Sequence, residues 1–102
     1  IMKEEPFGPL VPILSFKDFD EVVERANNND LGLCSYIYTN NLEKAHKASE
    51  LMETGTVAVN TGVVALPEAP FGGIKQTGYG REGGSMAIKD YLNIKYTHLG
   101  IK

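Results

Sequence analysis

The sequence contains little cysteine and little histidine: its 102 residues include one cysteine and two histidines. A single cysteine excludes an internal disulfide and is typical of a reducing compartment, so we expect a cytoplasmic protein. The histidines, His46 and His98, lie far apart, and neither has a second histidine or a cysteine at ligand spacing. No metal site is therefore predicted.

The sequence also lacks a basic excess and a long apolar run. Its net charge is −3, and lysine and arginine are scattered, which argues against a nucleic-acid partner. No apolar stretch approaches the length of a membrane span and no signal peptide opens the chain, so no membrane partner is expected. The chain opens at Ile1 without a start-like or linker-like segment. We therefore expect a piece of a longer protein.

What is present is enough apolar material for a core, since 42% of the residues are hydrophobic. Segments of strand-like and helix-like patterning alternate through residues 10–59. Glu21 lies three residues after Asp18, the spacing of a capping box, and Pro12 weakens the first strand or places it at an edge. The predicted order is a strand at 10–16, a helix capped by Asp18, a strand at 33–39, a helix capped by Asn40 or Asn41, and a strand at 56–59. This βαβαβ order predicts an α/β fold with a parallel sheet and right-handed crossovers.

The second half of the chain is less regular. Gly55 is well placed as the residue that follows the second helix in a left-handed conformation. A long loop is predicted over residues 60–83, then a helix over 84–91 and a last strand over 92–99. This last strand has residues suited to one solvated face, and from the residues alone it could pair within this chain.

The long loop contains the stretch FGGIKQTGYGREGG, residues 71–84, in which residues 78–83 match the dinucleotide-binding pattern G-x-G-x-x-G. That fingerprint requires a strand directly before it and an acidic residue about twenty positions after it, closing a βαβ unit. Residues 69–75 do not have a strand pattern, and the chain ends before such a unit could form. We interpret the match as coincidental and expect the glycines to let the loop fold tightly.

Three motifs resemble the C-terminal part of the aldehyde dehydrogenase superfamily. They are EEPFGP at residues 4–9, GTVAVN at 55–60 and PFGGIKQTGYGRE at 70–82. Their order and spacing match the superfamily over essentially the whole chain. The sequences Asn60-Thr61-Gly62, residues 80–83 and residues 90–96 are most similar to the succinate-semialdehyde dehydrogenase group.

The resemblance implies oxidation of a small aldehyde, such as a semialdehyde, to a carboxylate, with NAD or NADP as hydride acceptor. In the family a cysteine thiolate attacks the aldehyde, hydride leaves the thiohemiacetal, and water activated by a base releases the acid. The cysteine and the main base lie upstream of the region that matches this chain. The isolated chain is therefore expected to be inactive.

Four residues acquire roles through the resemblance. Glu5 matches the acidic residue that hydrogen-bonds the nicotinamide ribose, and Phe7 matches the aromatic that packs beside the nicotinamide. Phe71 matches a residue lining the aldehyde tunnel, and Glu82 matches a glutamate on a proton path toward the catalytic water. From residue types alone the same four could be solvated carboxylates and core aromatics.

Two positions depart from the most obvious assignments. In the succinate-semialdehyde group a serine before the Pro-Phe-Gly-Gly motif helps to hold the substrate carboxylate, whereas this chain has Ala65, which cannot donate a hydrogen bond. The alternative substrates are therefore other small aldehydes, such as 2-oxoglutarate semialdehyde, glycolaldehyde or lactaldehyde. Cys34 lies in a strand-like apolar run and is interpreted as a small buried residue, not a nucleophile.

The resemblance further implies that residues 1–91 belong to the catalytic domain, and that residues 92–102 form a strand and tail that build a dimer or tetramer. The partners would be the remainder of the parent chain and further copies of it. The alternative is a non-catalytic α/β interaction module derived from the same family, which could add its last strand to a partner.

Overall fold

A computed structural model describes residues 4–101. The start of the predicted catalytic-domain part, residues 1–3, and the end of the predicted tail, residue 102, lie outside the described residues. The described backbone forms two α-helices, four short strands and one 3₁₀ helix. Their bounds in chain order are α1 Phe19–Asn27, β1 Leu31–Gly32, β2 Cys34–Ile37, α2 Leu42–Leu51, β3 Thr56–Val59, β4 Ile74–Lys75 and the 3₁₀ helix Ala87–Tyr91.

The central unit is the strand–helix–strand segment β2–α2–β3. β2 and β3 pair in parallel, with Cys34 opposite Thr56 at one end and Ile37 opposite Val59 at the other. α2 connects them and packs against β3. Ala45 and Ala48 of α2 and Ala58 of β3 are the buried hydrophobic residues of the described chain. The prediction of a parallel strand–helix–strand unit in this region is confirmed.

The first helix begins at the predicted cap, Asp18, and the second begins at Asn41, one of the two predicted candidates. Asp18 Oδ1 accepts a hydrogen bond from the Glu21 N–H at 2.9 Å, and the Glu21 carboxylate accepts one from the Lys17 N–H at 2.8 Å. The return bond of the capping box thus reaches one residue further back than predicted. Asn41 caps α2 by accepting from the Lys44 N–H at 2.9 Å. These local signals stabilise each helix start by about 1 kcal/mol.

The prediction of a first strand at residues 10–16 is wrong. These residues have no ladder partner in the described chain, and their apolar side chains are exposed, Val11 by 83% and Ile13 by 88%. A strand requires a neighbour that satisfies its backbone groups, and Pro12 has no N–H to offer. The parallel sheet therefore contains two strands instead of the predicted three.

A second, antiparallel pair joins β1 to β4, with Leu31 opposite Lys75 and Gly32 opposite Ile74. The sequence pattern did not predict this pair, because two residues are too few to show a period. It fixes the glycine-rich loop, which carries β4, to the segment that follows α1. The pair therefore positions the loop that contains Phe71 and Glu82.

Gly55 has a role different from the predicted one. α2 ends at Leu51 with Met52 as its C-cap, so Gly55 is not the residue that terminates the helix. Its N–H donates to the Gly32 carbonyl at 3.0 Å, and a Cβ at position 55 would overlap the Gly72 carbonyl oxygen. Glycine is required here because two backbone segments lie in contact.

The C-terminal elements are shorter than predicted. The helix predicted at 84–91 is reduced to one 3₁₀ turn, because Gly83 and Gly84 have φ of 70° and 59°, which a right-handed helix cannot include. Residues 92–99 form no strand in the described single chain. The pairing of this segment in an oligomer stays a prediction.

The described residues leave much apolar surface uncovered. Their radius of gyration is 18.6 Å, whereas a compact domain of about 100 residues has one near 13 Å. Large apolar side chains in the two terminal arms are exposed, among them Phe7, Ile94 and Ile101, each by 97% or more. Exposed apolar surface of this extent is typical of a chain that packs against another protein surface.

Asn27 joins the ends of the two helices. Its Nδ2 donates to the Leu51 carbonyl at 2.8 Å, and its Oδ1 accepts from the Glu53 N–H at 2.8 Å. Both bonds satisfy backbone groups at the end of α2 that have no partner within that helix. One side chain therefore fixes the C-terminus of α1 to that of α2.

Replacing Asn27 with alanine is expected to lower the free energy of unfolding by about 2 kcal/mol, since two hydrogen bonds are lost. Urea unfolding followed by circular dichroism measures the change. Asn28→Ala is the matched control, because its side chain is exposed and makes neither bond. Equal midpoints for the two variants would contradict the role given to Asn27.

Candidate functional site

Phe71 and Glu82 face each other across an antiparallel β-bridge. The Phe71 N–H donates to the Glu82 carbonyl and the Glu82 N–H donates to the Phe71 carbonyl, both at 2.7 Å. In such a pair the Cα atoms are about 5.5 Å apart and the side chains point to the same face. The bridge therefore places an aromatic ring and a carboxylate side by side.

Between the bridged residues the chain folds back on itself. Arg81 Nη1 donates to the Gly73 carbonyl at 2.8 Å and to the Gly80 carbonyl at 2.7 Å. Gly78 and Gly80 have φ of 116° and 82°, values that residues with a Cβ rarely adopt. The glycines thus permit the sharp turns, and the guanidinium closes the loop.

The geometry of a dinucleotide fingerprint is absent from residues 71–84. Gly78 follows a turn and not a strand, and the third glycine of the pattern, Gly83, precedes another left-handed glycine. The next helical element is the five-residue 3₁₀ helix Ala87–Tyr91. No α-helix N-terminus stands where a pyrophosphate would have to bind.

Long-range contacts anchor the loop on the helices and strands. Lys75 Nζ donates to the Asn27 carbonyl at 2.8 Å and to the Asn29 carbonyl at 3.0 Å, where a cation also suits the C-terminal end of the α1 dipole. Thr77 Oγ1 accepts from the Gly32 N–H at 2.8 Å. The loop that carries Phe71 and Glu82 is therefore anchored on the end of α1 and the segment between α1 and β2.

A cavity of about 330 Å³ lies beside the bridge. Its volume suits a small ligand, and aromatic and charged side chains share its wall. Among its lining residues are Leu33, Phe71, Arg81, Glu82, Asp90 and Tyr91. A second depression, of about 750 Å³, lies between the end of α1 and Tyr79 and contains neither Phe71 nor Glu82. Of the two, the cavity at the bridge is the one that Phe71 and Glu82 share.

Glu5 and Phe7 lie in the N-terminal arm, away from this cavity. Two tight turns shape the arm: the Gly8 N–H donates to the Pro6 carbonyl at 2.9 Å, and the Leu10 N–H donates to the Gly8 carbonyl at 2.8 Å. Glu5 is exposed, and Phe7 is exposed by 97%. Both side chains are available to a ligand or to another part of a larger protein.

Ala65 is also outside the cavity. It lies in the long loop and is exposed. The same loop is fixed further on, where the Gly84 N–H donates to the Pro67 carbonyl at 2.9 Å. The structure thus brings together Phe71 and Glu82 and leaves Glu5, Phe7 and Ala65 apart from them.

Cys34 is half-buried in β2 and forms no disulfide. Tyr36 follows two residues later on the same strand, and its interaction with Cys34 raises the pKa of the phenol. The phenol is protonated at neutral pH with or without this shift. The pair lines neither cavity, in keeping with a structural role for Cys34.

Residues 4–101 contain no group of three or more histidine, cysteine, aspartate or glutamate side chains able to hold a metal ion. No helix in this part of the chain is long and apolar enough to cross a membrane.

Two contacts of the loop were not predicted from the sequence. From the sequence Arg81 has no role of its own, whereas in the structure its guanidinium closes the loop onto Gly73. Asp90 was assigned no role, yet its carboxylate accepts from the Arg81 N–H at 3.0 Å. No periodicity connects positions nine residues apart in irregular backbone, so only the folded loop reveals the pair.

Comparison with known proteins identifies the family. The profile of the aldehyde dehydrogenase family matches residues 1–97. The chain belongs to the aldehyde dehydrogenase family. The resemblance inferred from the three motifs is thereby confirmed.

The relatives of this aldehyde dehydrogenase segment include enzymes for several aldehydes. It is 46% identical over 101 residues to succinate-semialdehyde dehydrogenase [NADP(+)] of Escherichia coli (strain K12), covering 99% of this chain and 21% of that enzyme. It is 50% identical over 100 residues to 3-sulfolactaldehyde dehydrogenase of Pseudomonas putida, covering 98% of this chain and 21% of the relative.

The solved structures agree with the fold. The NAD+ complex of an aldehyde dehydrogenase from Bacillus cereus superimposes with a TM-score of 0.91 at 43% identity, over 98% of this chain and 20% of that one. The chain thus spans about a fifth of the length of the relatives that it matches.

Proposed function

We propose that this chain is the C-terminal part of an NAD(P)-dependent aldehyde dehydrogenase that oxidises a small aldehyde, such as a semialdehyde, to a carboxylate. The observation that carries the proposal is the Phe71–Glu82 bridge beside a small cavity, in a chain of this family. The intact enzyme is here the product of the full reading frame that contains residues 1–102.

In this proposal Phe71 forms one wall of the aldehyde tunnel, and Glu82 passes protons to and from the water that releases the acid. The supporting geometry is the reciprocal backbone pairing, which fixes both side chains on one face. Glu82 is exposed in this chain, so its carboxylate is free to reach a water or a donor supplied by the rest of the enzyme. A positioned carboxylate of this kind typically contributes a factor of about 100 or more to a rate.

Glu5 and Phe7 fit a nicotinamide riboside. An ionised carboxylate accepts hydrogen bonds from two adjacent hydroxyls, and both side chains are uncommitted to other described residues. We assign them to the cofactor, NAD or NADP, whose chemical contribution when bound is to accept a hydride. The two tight turns at Pro6 and Gly8 hold the arm in a shape that presents both side chains.

The substrate is a small aldehyde that need not be succinate semialdehyde. Ala65 cannot donate the hydrogen bond that a serine would supply to a second carboxylate. The named relatives act on succinate semialdehyde and on 3-sulfolactaldehyde, so a short aldehyde with an anionic end is the class to test first.

We further propose that residues 1–91 belong to the catalytic domain and that residues 92–102 pair with another copy in a dimer or tetramer. The exposed apolar side chains of this tail, Ile94, Leu99 and Ile101, support such a contact. A non-catalytic interaction module remains the second candidate, favoured by the same exposed surface.

The test of the proposed function is an aldehyde screen on two preparations, the isolated 102-residue chain and the intact enzyme. Reduction of NAD or NADP is followed with succinate semialdehyde, glutarate semialdehyde, lactaldehyde and glycolaldehyde. The proposal predicts that the intact enzyme is active and that the isolated 102-residue chain is inactive. Activity in the isolated chain would contradict it, and a reading frame confined to this chain would favour the interaction module.

Replacing Glu5 with glutamine in the intact enzyme is expected to weaken cofactor binding about tenfold, because a neutral amide is a poorer acceptor for two hydroxyls. The dissociation constant is measured by titration with the reduced cofactor. Glu4→Gln is the matched control, an exposed neighbour with no assigned role. Unchanged cofactor affinity and turnover in the Glu5 variant would remove Glu5 from the cofactor site.

A further inference from the structure

The peptide group directly before Arg81 is held at both ends. Its carbonyl, from Gly80, accepts from Arg81 Nη1 at 2.7 Å, and its N–H, from Arg81, donates to Asp90 Oδ2 at 3.0 Å. Because a peptide group is planar and rigid, two such bonds fix its orientation. The next peptide group carries the N–H of Glu82, which donates to the Phe71 carbonyl.

Asp90 reaches this peptide from outside the loop. It lies on the 3₁₀ helix Ala87–Tyr91, nine residues after Arg81. A Cβ at position 80 would lie 2.8 Å from the same Asp90 oxygen, and Gly80 has φ of 82°. The carboxylate can approach because position 80 is a glycine.

The two carboxylates, Asp90 and Glu82, line the cavity that Phe71 also lines. They are held differently, however. The Asp90 carboxylate is engaged by a backbone N–H, whereas Glu82 is held through its backbone, and its carboxylate has no hydrogen-bond partner among the described residues. The Asp90 carboxylate is therefore bound to the backbone of Arg81, directly before Glu82, whose own carboxylate is free to react.

We infer that Asp90 is a positioning residue for Glu82: its hydrogen bond to the Arg81 N–H fixes the backbone from which the Glu82 side chain extends. This inference rests on the proposed role of Glu82 in the release of the acid. A bond between a carboxylate and a backbone N–H is among the stronger hydrogen bonds in proteins. A displacement of about 1 Å at a reacting group can slow a reaction about 100-fold, so loss of this bond should affect the step that uses Glu82.

The test is a double-mutant cycle in the intact enzyme, read by the burst and the steady-state rate of NAD(P)H formation. Asp90→Ala should slow the steady-state rate about tenfold and leave the rate of the burst within about twofold of that of the parent enzyme. Asp90→Asn keeps an oxygen that can accept from the Arg81 N–H and should stay within about twofold of the parent. Lys89→Ala, on the same 3₁₀ helix and exposed, is the control.

Glu82→Gln supplies the other side of the cycle. If Asp90 acts through Glu82, adding Asp90→Ala to Glu82→Gln should cause no further slowing. Asp90→Ser, whose hydroxyl is one atom shorter, replaces the alanine variant if the latter does not fold, and should give the same result.

The outcomes separate the inference from the proposed function. Additive effects of the two substitutions, an Asp90→Asn variant as slow as Asp90→Ala, or equal slowing of burst and steady state would overturn the role of Asp90 alone. An unchanged steady-state rate in Glu82→Gln would overturn the role of Glu82, and the inference with it.

Discussion

Replacing Glu82 with glutamine in the intact enzyme is expected to lower the steady-state rate about 100-fold while the first burst of NAD(P)H is retained. Glutamine has nearly the same shape as glutamate but cannot take up or release the proton. The backbone bridge to Phe71 does not depend on the side chain, so the loop should keep its conformation. The slow step should therefore be the release of the acid and not the transfer of hydride.

Stopped-flow fluorescence of NAD(P)H measures both phases in one experiment. The burst amplitude reports the enzyme that has completed hydride transfer, and the later slope reports release of the acid. Glu68→Gln is the matched control, since Glu68 is an exposed glutamate in the same long loop. Loss of the burst together with the slope would assign Glu82 to an earlier step or to stability.

Replacing Gly55 with alanine is expected to destabilise the protein by about 3 kcal/mol and to abolish most of the activity. A methyl group at position 55 would occupy the space of the Gly72 carbonyl oxygen. Gly72 directly follows Phe71, and the Gly55 N–H is committed to the Gly32 carbonyl. The strain must therefore displace either the start of β3 or the loop that contains Phe71 and Glu82.

Thermal unfolding and turnover are measured on the same Gly55→Ala preparation. Gly62→Ala is the control: a Cβ at position 62 would have no neighbour within 4 Å, and Gly62 does not require a positive φ. An unchanged melting temperature in the Gly55 variant would show that the two backbone segments are not in contact in the intact enzyme.

Local signals predicted the local parts of the fold. The cap Asp18, a cap at Asn40 or Asn41, and the segment β2–α2–β3 were predicted because their signals lie in residues close in sequence. The prediction of a strand at residues 10–16 was wrong, because an apolar run forms a strand only when a neighbouring strand pairs with it. Residues 92–99 show the same dependence, since no neighbour for them is present among residues 4–101.

The contacts that assemble the site are long-range and left no pattern in the sequence. The β1–β4 pair joins Leu31 to Lys75, and Gly55 meets Gly72. Gly55 was predicted as a helix end, because sequence spacing cannot distinguish a glycine needed for a turn from one needed for close approach.

For the candidate site, family resemblance supplied Phe71 and Glu82, and the structure supplied their pairing. Spacing alone would not have separated them from an ordinary core aromatic and a surface carboxylate. Glu5, Phe7 and Ala65 lie apart from the bridge in this chain. The roles proposed for them require surfaces that residues 4–101 do not supply, and the relatives that this chain matches are about five times as long.

A chimera tests the central claim most directly. Residues 1–102 replace the matching fifth of the Escherichia coli succinate-semialdehyde dehydrogenase, and NADP+ reduction by succinate semialdehyde and the other three aldehydes of the screen is measured beside the melting temperature. If this chain supplies a working part of an aldehyde dehydrogenase active site, the chimera will oxidise succinate semialdehyde or another small aldehyde of the screen, and its Glu82→Gln variant will keep only the burst. A chimera that folds with the melting temperature of its parent, yet forms no NADPH from any of the four screened aldehydes, would contradict the account.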